Sequence, residues 1–567
     1  MRAVERSPTW PTWTLAAVAV AIAALAFDPM AASAATPKIA LAVVVALVVL
    51  APSLPHLFRH RIAPPSGLVP WLALAGWSLL SLAWSPRPDP SIVALWLAAG
   101  GIAVATSALE DRAQRRLLTG RVATLVTAGA SLVVLAQWAT GAEGIACHGA
   151  MGNPNWLGLT LACALPLVVG HASHRGGRER IAAIATVALG VAGLVLAESR
   201  VAFVALAIVG AAAVVRRSNA RRRRALVLAA IVAVPLAVVA ARAWAEPLAG
   251  RLWLASVSFD AWRDAPFVGH GSGAFTSAYL AAQAAPLADL PIDEAARRYL
   301  FATTAHGDWV QLAVEGGLVA FALGVLPFAL AITTAPAASA SAVAVVALCM
   351  LGDAPLRQPA VVLLLALALA DTPPLAHRDR RDALSFLAVT VVLTCLLPRA
   401  TTQWLAERAA HAAHDAVPAE RLATLERARR MAPWWGAPAF DAGLTLLDLG
   451  EPERALAAFD EAARAGMVGP SSYIARGNAL VGAGHPAEAV ASYQAALHLH
   501  PASFRAHANL SEAARLSGDL GMAARHLALA RDLQPHHPKL AIIADALRRR
   551  SIHEATSAAH DEAGESR

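Results

Sequence analysis

Almost uninterrupted apolar stretches recur through the first 400 residues, each bounded by charge or proline. They lie near residues 12–27, 38–54, 68–84, 90–109, 117–139, 154–172, 181–197, 200–215, 225–242, 309–332, 337–351, 356–371 and 383–398. Crossing about 30 Å of hydrocarbon takes roughly 20 helical residues, and in lipid the backbone polar groups must be satisfied within the segment. The pattern therefore predicts an all-α, polytopic membrane helix bundle of about 12–13 spans. Several are short, and one or two re-entrant or half-spanning segments fit as well. Composition agrees: the chain is 57% hydrophobic and 15% charged, with mean hydropathy +0.52, whereas soluble domains carry about 25% charge.

A net charge of +8 invites a nucleic-acid reading, but the arginines lie in short clusters between apolar runs, which suits membrane orientation. With Arg2 and Arg6 cytoplasmic and the sides alternating, the inner loops carry Arg59 and Arg61; Arg112, Arg115 and Arg116; Arg175, Arg178 and Arg180; Arg216, Arg217 and Arg221–Arg224; and Arg378, Arg380 and Arg381. The short outer loops hold little beyond Arg87, Arg200 and Arg357. This predicts a multi-pass protein of the bacterial inner membrane, in contact with membrane lipids and with no nucleic-acid partner. Residues 243–305 form a large periplasmic loop, and everything after Pro398 is periplasmic too. "AASAA" at 31–35 has the look of a signal-peptidase site, but chance accounts for it in so alanine-rich a chain. Cys147, Cys163, Cys349 and Cys395 are far apart, so neither a disulfide framework nor a metal site is expected, and no cofactor is implied.

The membrane part is taken as residues 1–400. Beyond it a period of 34 appears: Ala455, Ala489 and Ala523 recur in register with Gly450, Gly484 and Gly518, with Phe459, Tyr493 and Leu527, and with Ala462, Ala496 and Ala530. Pro501 and Pro535 close two of the units. Small residues let paired helices approach, larger apolar side chains fill the gap between them, and proline ends the second helix. The pattern resembles tetratricopeptide repeats, which implies an α-solenoid over 401–540, its first, degenerate unit running from Thr402 to Pro433. The polar tail, 541–567, is expected to be disordered.

Polar residues gather at the outer ends of particular spans. "MGNPNWLG" sets Asn153 and Asn155 at one helix start, and "AESRVAF" sets Ser199 and Arg200 at another. The loop opens "GRLWLASVSFDAWRDAPFVGHGSGAF", with Arg251, Trp253 and a turn containing Gly269, Gly271 and Gly273. It closes at "TTAHGDWVQLAVEGG", where His306 precedes a span carrying Asp308, Gln311 and Glu315. In order and sidedness these stretches resemble the O-antigen ligase and O-antigen polymerase superfamily over roughly residues 140–330. The resemblance implies a multi-span glycosyltransferase that uses a polyprenyl-diphosphate-linked glycan donor and needs no metal. Members often have asparagine after the histidine, whereas Gly307 stands here. The acceptor could be a lipid A core, a second glycan or a protein hydroxyl, making the enzyme a ligase, a polymerase or a protein O-oligosaccharyltransferase.

The same residues suit that chemistry on their own terms. A leaving diphosphate needs cations, and arginine meets phosphate with two parallel hydrogen bonds; Arg200 and Arg251 are best placed. An acceptor hydroxyl needs a base, and His306 at a helix N-terminus favours the neutral imidazole. Asp308, Gln311 and Glu315 share a helical face and could orient acceptor or arginines, while the glycine-rich turn could turn N–H groups toward an anion. Each has a plainer reading: His306 as an interfacial histidine, Arg200 and Arg251 as headgroup anchors, Asn153 and Asn155 as helix caps, Glu315 as a structural partner of an arginine. Arg263, Arg297 and Arg298 fit solvated positions or pairs with Asp264, Asp293 and Glu294, and His148 and His270 look incidental. The repeats suit an envelope-assembly partner or a protein acceptor. The rivals from another class are a non-catalytic transporter, which would favour ionisable groups at mid-membrane, and a repeat-bearing scaffold, which leaves the loop motifs unexplained.

Overall fold

The computed structural model describes residues 10–60, 63–107, 109, 111–217, 245–375 and 380–565. Among them the regular structure is helical, apart from one isolated β-bridge between Pro65 and Pro374. The chain divides into two compact units. One comprises Met1–Ala255, Trp262–Phe275 and Thr304–Glu407; the other comprises Ser256–Ala261, Thr276–Thr303 and Arg408–Arg567.

The first unit is the helix bundle. It contains α1 (Trp10–Leu25), α2 (Thr36–His60), α3 (Leu68–Ser81), α4 (Pro90–Ser107), α5 (Arg112–Ala139), α6 (Pro154–Ser173), α7 (Gly177–Ala197) and α8 (Arg200–Arg217). After α9 (Ala245–Asp264), α10 (Phe275–Ala288) and α11 (Ile292–Arg298) in the loop, α12 (Asp308–Thr334), α13 (Ala337–Cys349), α14 (Pro359–Leu369) and α15 (Arg380–Ala412) follow. Among the described residues, six helices are long and apolar enough to cross a membrane and five more are apolar but shorter. The run 225–242 lies outside the described residues, as do Arg2, Arg6, Arg61, Arg221–Arg224 and Arg378.

The run expected to span at 356–371 is different in kind. Pro355 and Pro359 break the chain into a short 3₁₀ turn followed by α14, only 11 residues long. Eleven residues rise about 16 Å, so α14 alone is shorter than the hydrocarbon layer, yet the run that contains it passes from Leu356, held by Asp308, to Ala370, whose carbonyl accepts from Arg115 at 3.4 Å. Every residue of α14 is buried, packed among α1, α2, α4, α5, α6 and α13. A helix apolar on all sides belongs inside other helices, and this one forms the middle of the bundle. Around it, buried Trp71 donates from Nε1 to the Trp96 carbonyl at 3.0 Å, and Trp96 donates to the Leu356 carbonyl at 2.8 Å.

Helix α12 is broken at Gly317, whose φ of 67° and ψ of −165° are not helical. The glycine-rich turn fits into the break. The N–H groups of His270 and Gly271 donate to the carbonyls of Val314 and Glu315 at 3.0 and 2.8 Å, closing the first piece. Leu318 and Val319 open the second piece by donating to Pro266 and Phe267 at 2.9 and 3.4 Å. Trp77 Nε1 donates to the Gly316 carbonyl and Trp84 Nε1 to that of Gly269. The backbones approach so closely that a Cβ on Gly269 would stand 2.4 Å from the Glu315 carbonyl, and one on Gly317 2.2 Å from that of Phe267. Both also have positive φ, so only glycine serves at either place.

The second unit joins part of the loop to the repeats. Its helix pairs are α17 (Ala437–Asp448) with α18 (Pro452–Arg464), α19 (Pro470–Gly482) with α20 (Pro486–Leu499), and α21 (Phe504–Ser517) with α22 (Leu520–Leu533), preceded by α16 (Pro418–Met431) and followed by α23 (Pro538–Glu565). Small residues at period 34 face the larger ones as expected. A Cβ on Gly443 would lie 2.5 Å from the Phe459 ring, and one on Gly477 2.5 Å from that of Tyr493. The tail differs from expectation: α23 continues through the stretch read as disordered, where alanine and glutamate favour helix even without an apolar stripe.

Two histidines in this unit make it acid-sensitive. His507 Nε2 donates to the Pro501 carbonyl at 2.8 Å, which leaves its Nδ1 to accept from His526 Nδ1 at 2.9 Å; the His507 ring is then neutral. Burial pushes His507 down to about 4, with His526 adding to the effect against the pull of Pro501, and burial with His507 nearby pushes His500 to about 4. Histidine in an unfolded chain titrates near ~6.5. Between those values the unfolded repeats take up protons that the folded ones refuse, so their stability is full above pH ~6.5 and falls as pH drops toward ~4. Helicity followed by circular dichroism during heating at pH 7 and pH 5 should show the repeats melting at a lower temperature in acid, and His507→Gln should flatten that dependence.

Candidate functional site

His306 is held in an uncommon conformation. With φ of 46° it is one of two described non-glycine residues in the left-handed region; the other is Glu198 at 50°. Such a conformation costs about 1–3 kcal/mol and persists only where its surroundings enforce it. On one side of His306, the Ala305 N–H donates to Gln311 Oε1 at 2.8 Å. On the other, a Cβ on Gly307 would stand 3.3 and 3.4 Å from the carbonyls of Met350 and Leu351. The space an asparagine side chain would need at 307 is thus tight, and this chain has no side chain there. His306 itself is exposed.

Glu198 lies in the other candidate loop. It caps α7 in the left-handed conformation, so that α8 starts directly at Arg200. Val201, next in the chain, reaches within 3.4 Å of the point where a Cβ on Gly352 would sit, and Arg251 Nη1 lies 3.6 Å from the same point. Asp353 follows Gly352 and faces the charges of both His306 and Arg251. Burial raises its carboxyl above the usual range, opposed by the Ala354 N–H at 2.8 Å and then by His306 and Arg251. The Gly352–Asp353 turn is therefore where Arg251 and His306 come together; Arg200 adjoins it through Val201.

The helical face read as substrate-orienting has other partners. Asp308 is 2% exposed and Gln311 3%. Asp308 Oδ2 accepts the Leu356 N–H at 2.5 Å, and the Asp308 N–H donates to the Asp353 carbonyl at 3.2 Å. Gln311 Nε2 donates to Glu315 Oε1 at 2.6 Å, and Arg357 Nη2 donates to the same oxygen at 2.9 Å. Asp308, Gln311 and Glu315 thus tie the start of α12 to the 353–357 segment and to Ala305. They shape the backbone on which His306 and Asp353 sit.

The turn at 266–275 is likewise corrected. The N–H groups of Gly269, His270, Gly271 and Ser272 donate to Ala265, Val314, Glu315 and Ser81 Oγ respectively, so none of these four faces an anion. Gly271 and Gly273 lie against Ser81–Ser85 and Arg87–Asp89. Asn153 is the N-cap of α6, its Oδ1 accepting the Asn155 N–H at 2.8 Å, and Asn155 is exposed. Arg297 and Arg298 pair with Asp293 and Glu294 at 2.9 and 2.6 Å.

Sequence reasoning passed over Asp353 and gave Arg357 no role. The signal was there: side alternation puts residues 352–355 at the same face as His306, and "LGDAPLR" holds charge between two apolar runs.

Comparison with known proteins bears on this same region. Residues 185–325 match the family model described as O-antigen ligase, a span containing Arg200, Arg251, His306 and Glu315. The chain carries an O-antigen ligase domain. Residues 440–476 and 474–538 match a tetratricopeptide-repeat model, so the ligase domain is followed by tetratricopeptide repeats, as the 34-residue period indicates. No curated protein matches the chain. Among solved structures, the repeat protein YrrB, described as having an unusual peptide-binding site, is 18% identical over 26% of this chain and 84% of its own, with a TM-score of 0.21. MamA from Desulfovibrio magneticus RS-1 is 18% identical over 28% of this chain and 87% of its own, with a TM-score of 0.22. The Cut9–Hcn1 hetero-tetramer of APC/C is 13% identical over 82% of this chain and 90% of its own, with a TM-score of 0.23. At these scores none of the three bears on function.

Proposed function

We propose that the ligase domain transfers an oligo- or polysaccharide from a polyprenyl diphosphate carrier to an acceptor hydroxyl at the periplasmic face of the bacterial inner membrane. The observation carrying this reading is the convergence of Arg251 and His306 on the Gly352–Asp353 turn. In the transfer the acceptor oxygen bonds to the anomeric carbon, the bond from that carbon to the diphosphate breaks, and the hydroxyl proton leaves. Arg251, joined by Arg200, grips the diphosphate and is worth more as charge builds on the leaving oxygen than in the ground state. His306 takes the proton. This division of labour needs no side chain from Gly307.

The acceptor in this reading is a lipid A core or an equivalent surface glycolipid. Removing the chain from its cell should leave full-length glycan stranded on the polyprenyl carrier and none attached to the acceptor, as read by extraction and sizing of both pools. Single repeat units on the carrier would instead make the enzyme a polymerase and overturn the ligase reading.

A further inference from the structure

The loop between Arg251 and His306 does not fold as one piece. Its segments Ser256–Ala261 and Thr276–Thr303 belong to the unit that holds the repeats. Within that unit the end of the loop is gripped at three successive residues. The Tyr299 ring lies flat on that of His500, centroids 3.5 Å apart and planes 9° from parallel. Leu300 is held as a neighbouring strand would hold it: Gln283 Nε2 donates to its carbonyl at 3.1 Å, and its N–H donates to Gln283 Oε1 at 3.4 Å. Gln283 is wholly buried. The Phe301 ring edge lies 3.6 Å from where a Cβ on Gly469 would sit. Just before these residues, α11 packs on α22 of the third repeat.

His500 is a firm platform. It ends α20, its N–H donating to the Ala496 carbonyl at 2.9 Å. Its buried Nδ1 has no hydrogen-bond partner among the described residues. Depressed to about 4, the ring is neutral at physiological pH, so the stack joins two uncharged rings. The chain leaves this unit at Thr303, and within three residues it has passed the Gln311-held Ala305 and reached the strained His306. Two buried carboxamides, Gln283 and Gln311, therefore grip the backbone on either side of a short tether, one in each unit.

We infer that the repeats act as a clasp on the loop: Tyr299, His500 and Gln283 are positioning residues that fix the chain leading into His306. This inference rests on the reading of His306 as the base. A displacement of about 1 Å at a reacting group lowers turnover by up to ~10²-fold, which sets the size of the effect.

The test uses the full-length protein in lipid nanodiscs with carrier-linked glycan and acceptor, and follows amide hydrogen exchange over residues 299–307 in parallel. Tyr299→Ala and His500→Ala should each quicken exchange there and lower kcat by roughly 10–100-fold with KM unchanged. Tyr299→Phe, which keeps the stacked ring, should behave as the parent, and the double alanine variant should be no worse than either single one. Unchanged exchange in both alanine variants would overturn the clasp, as would faster exchange with unchanged kcat. A fully active His306→Ala enzyme would refute the base reading and with it the positioning role, whereas the exchange data would still report whether the repeats hold the loop.

Discussion

Replacing His306 with alanine lowers glycan transfer by about 10²–10⁴-fold, the usual worth of a positioned general base, while the protein inserts and folds at its normal level. The structural side of this expectation is that the His306 ring is exposed, so its loss opens no cavity. The left-handed backbone at 306 is disfavoured for alanine as it is for histidine, since both carry a Cβ, and Gln311 still holds Ala305. A rate defect without a stability defect is what separates a base from an interfacial histidine. The measurement is transfer from carrier-linked donor by purified protein, set beside its thermal unfolding in detergent. Equal transfer rates for parent and variant would dismiss His306 from the chemistry. Asp353→Asn should give a smaller loss of transfer, because it changes a neighbour of the site but leaves the imidazole itself.

Glu315→Ala has the largest expected effect on stability. Glu315 and Arg357 meet at 2.9 Å with side chains only 13% and 19% exposed, and Arg357 also faces Asp308 and Asp89. Removing one member of a buried pair strands the other, at about 3–5 kcal/mol. The loss should appear as a marked drop in the thermal midpoint in detergent. Removing both charges together, as Glu315→Gln with Arg357→Met, should recover part of it, because the guanidinium is no longer stranded, while Asp308 and Asp89 still lose the cation they face. If the single variant proves as stable as the parent, the network binding α12 to the 353–357 segment contributes nothing. The same variant should also lose activity, since Asp353 and the Ala305–Asp308 stretch hang from that network.

The spans and repeats were readable because their physics is periodic. Helical rise and bilayer thickness set the length of an apolar run, and α2, α4, α6 and α13 begin close to where charge or proline stops. A fixed interval of 34 sets a small residue against a larger one in each helix pair, glycine against an aromatic ring in two of them, Gly443 with Phe459 and Gly477 with Tyr493. Pairings between distant segments were harder to read. The run of α14 looks like any other span until its neighbours are known to enclose it. The turn at 266–275 reads as an anion cradle because glycine-rich loops often are; that its N–H groups close a broken helix depends on residues 45 or so positions away. Asp353 escaped because a lone carboxylate in a short loop has no pattern of its own. The union of loop and repeats left no trace in composition, since Tyr299, Gln283 and His500 are unremarkable one at a time.

The interruption at Gly317 changes where the bilayer begins along this stretch. If the lipid-crossing rod starts at Leu318, it has 17 residues up to and including Thr334, or about 25 Å of rise, close to the thickness of the oily layer alone. Asp308, Gln311 and Glu315 then stand on a separate stub that dips into protein without ever meeting acyl chains. Ionisable groups there need only proteinaceous dipoles as solvent, a far gentler medium than alkane, and a carboxylate two turns past a histidine ceases to be a paradox.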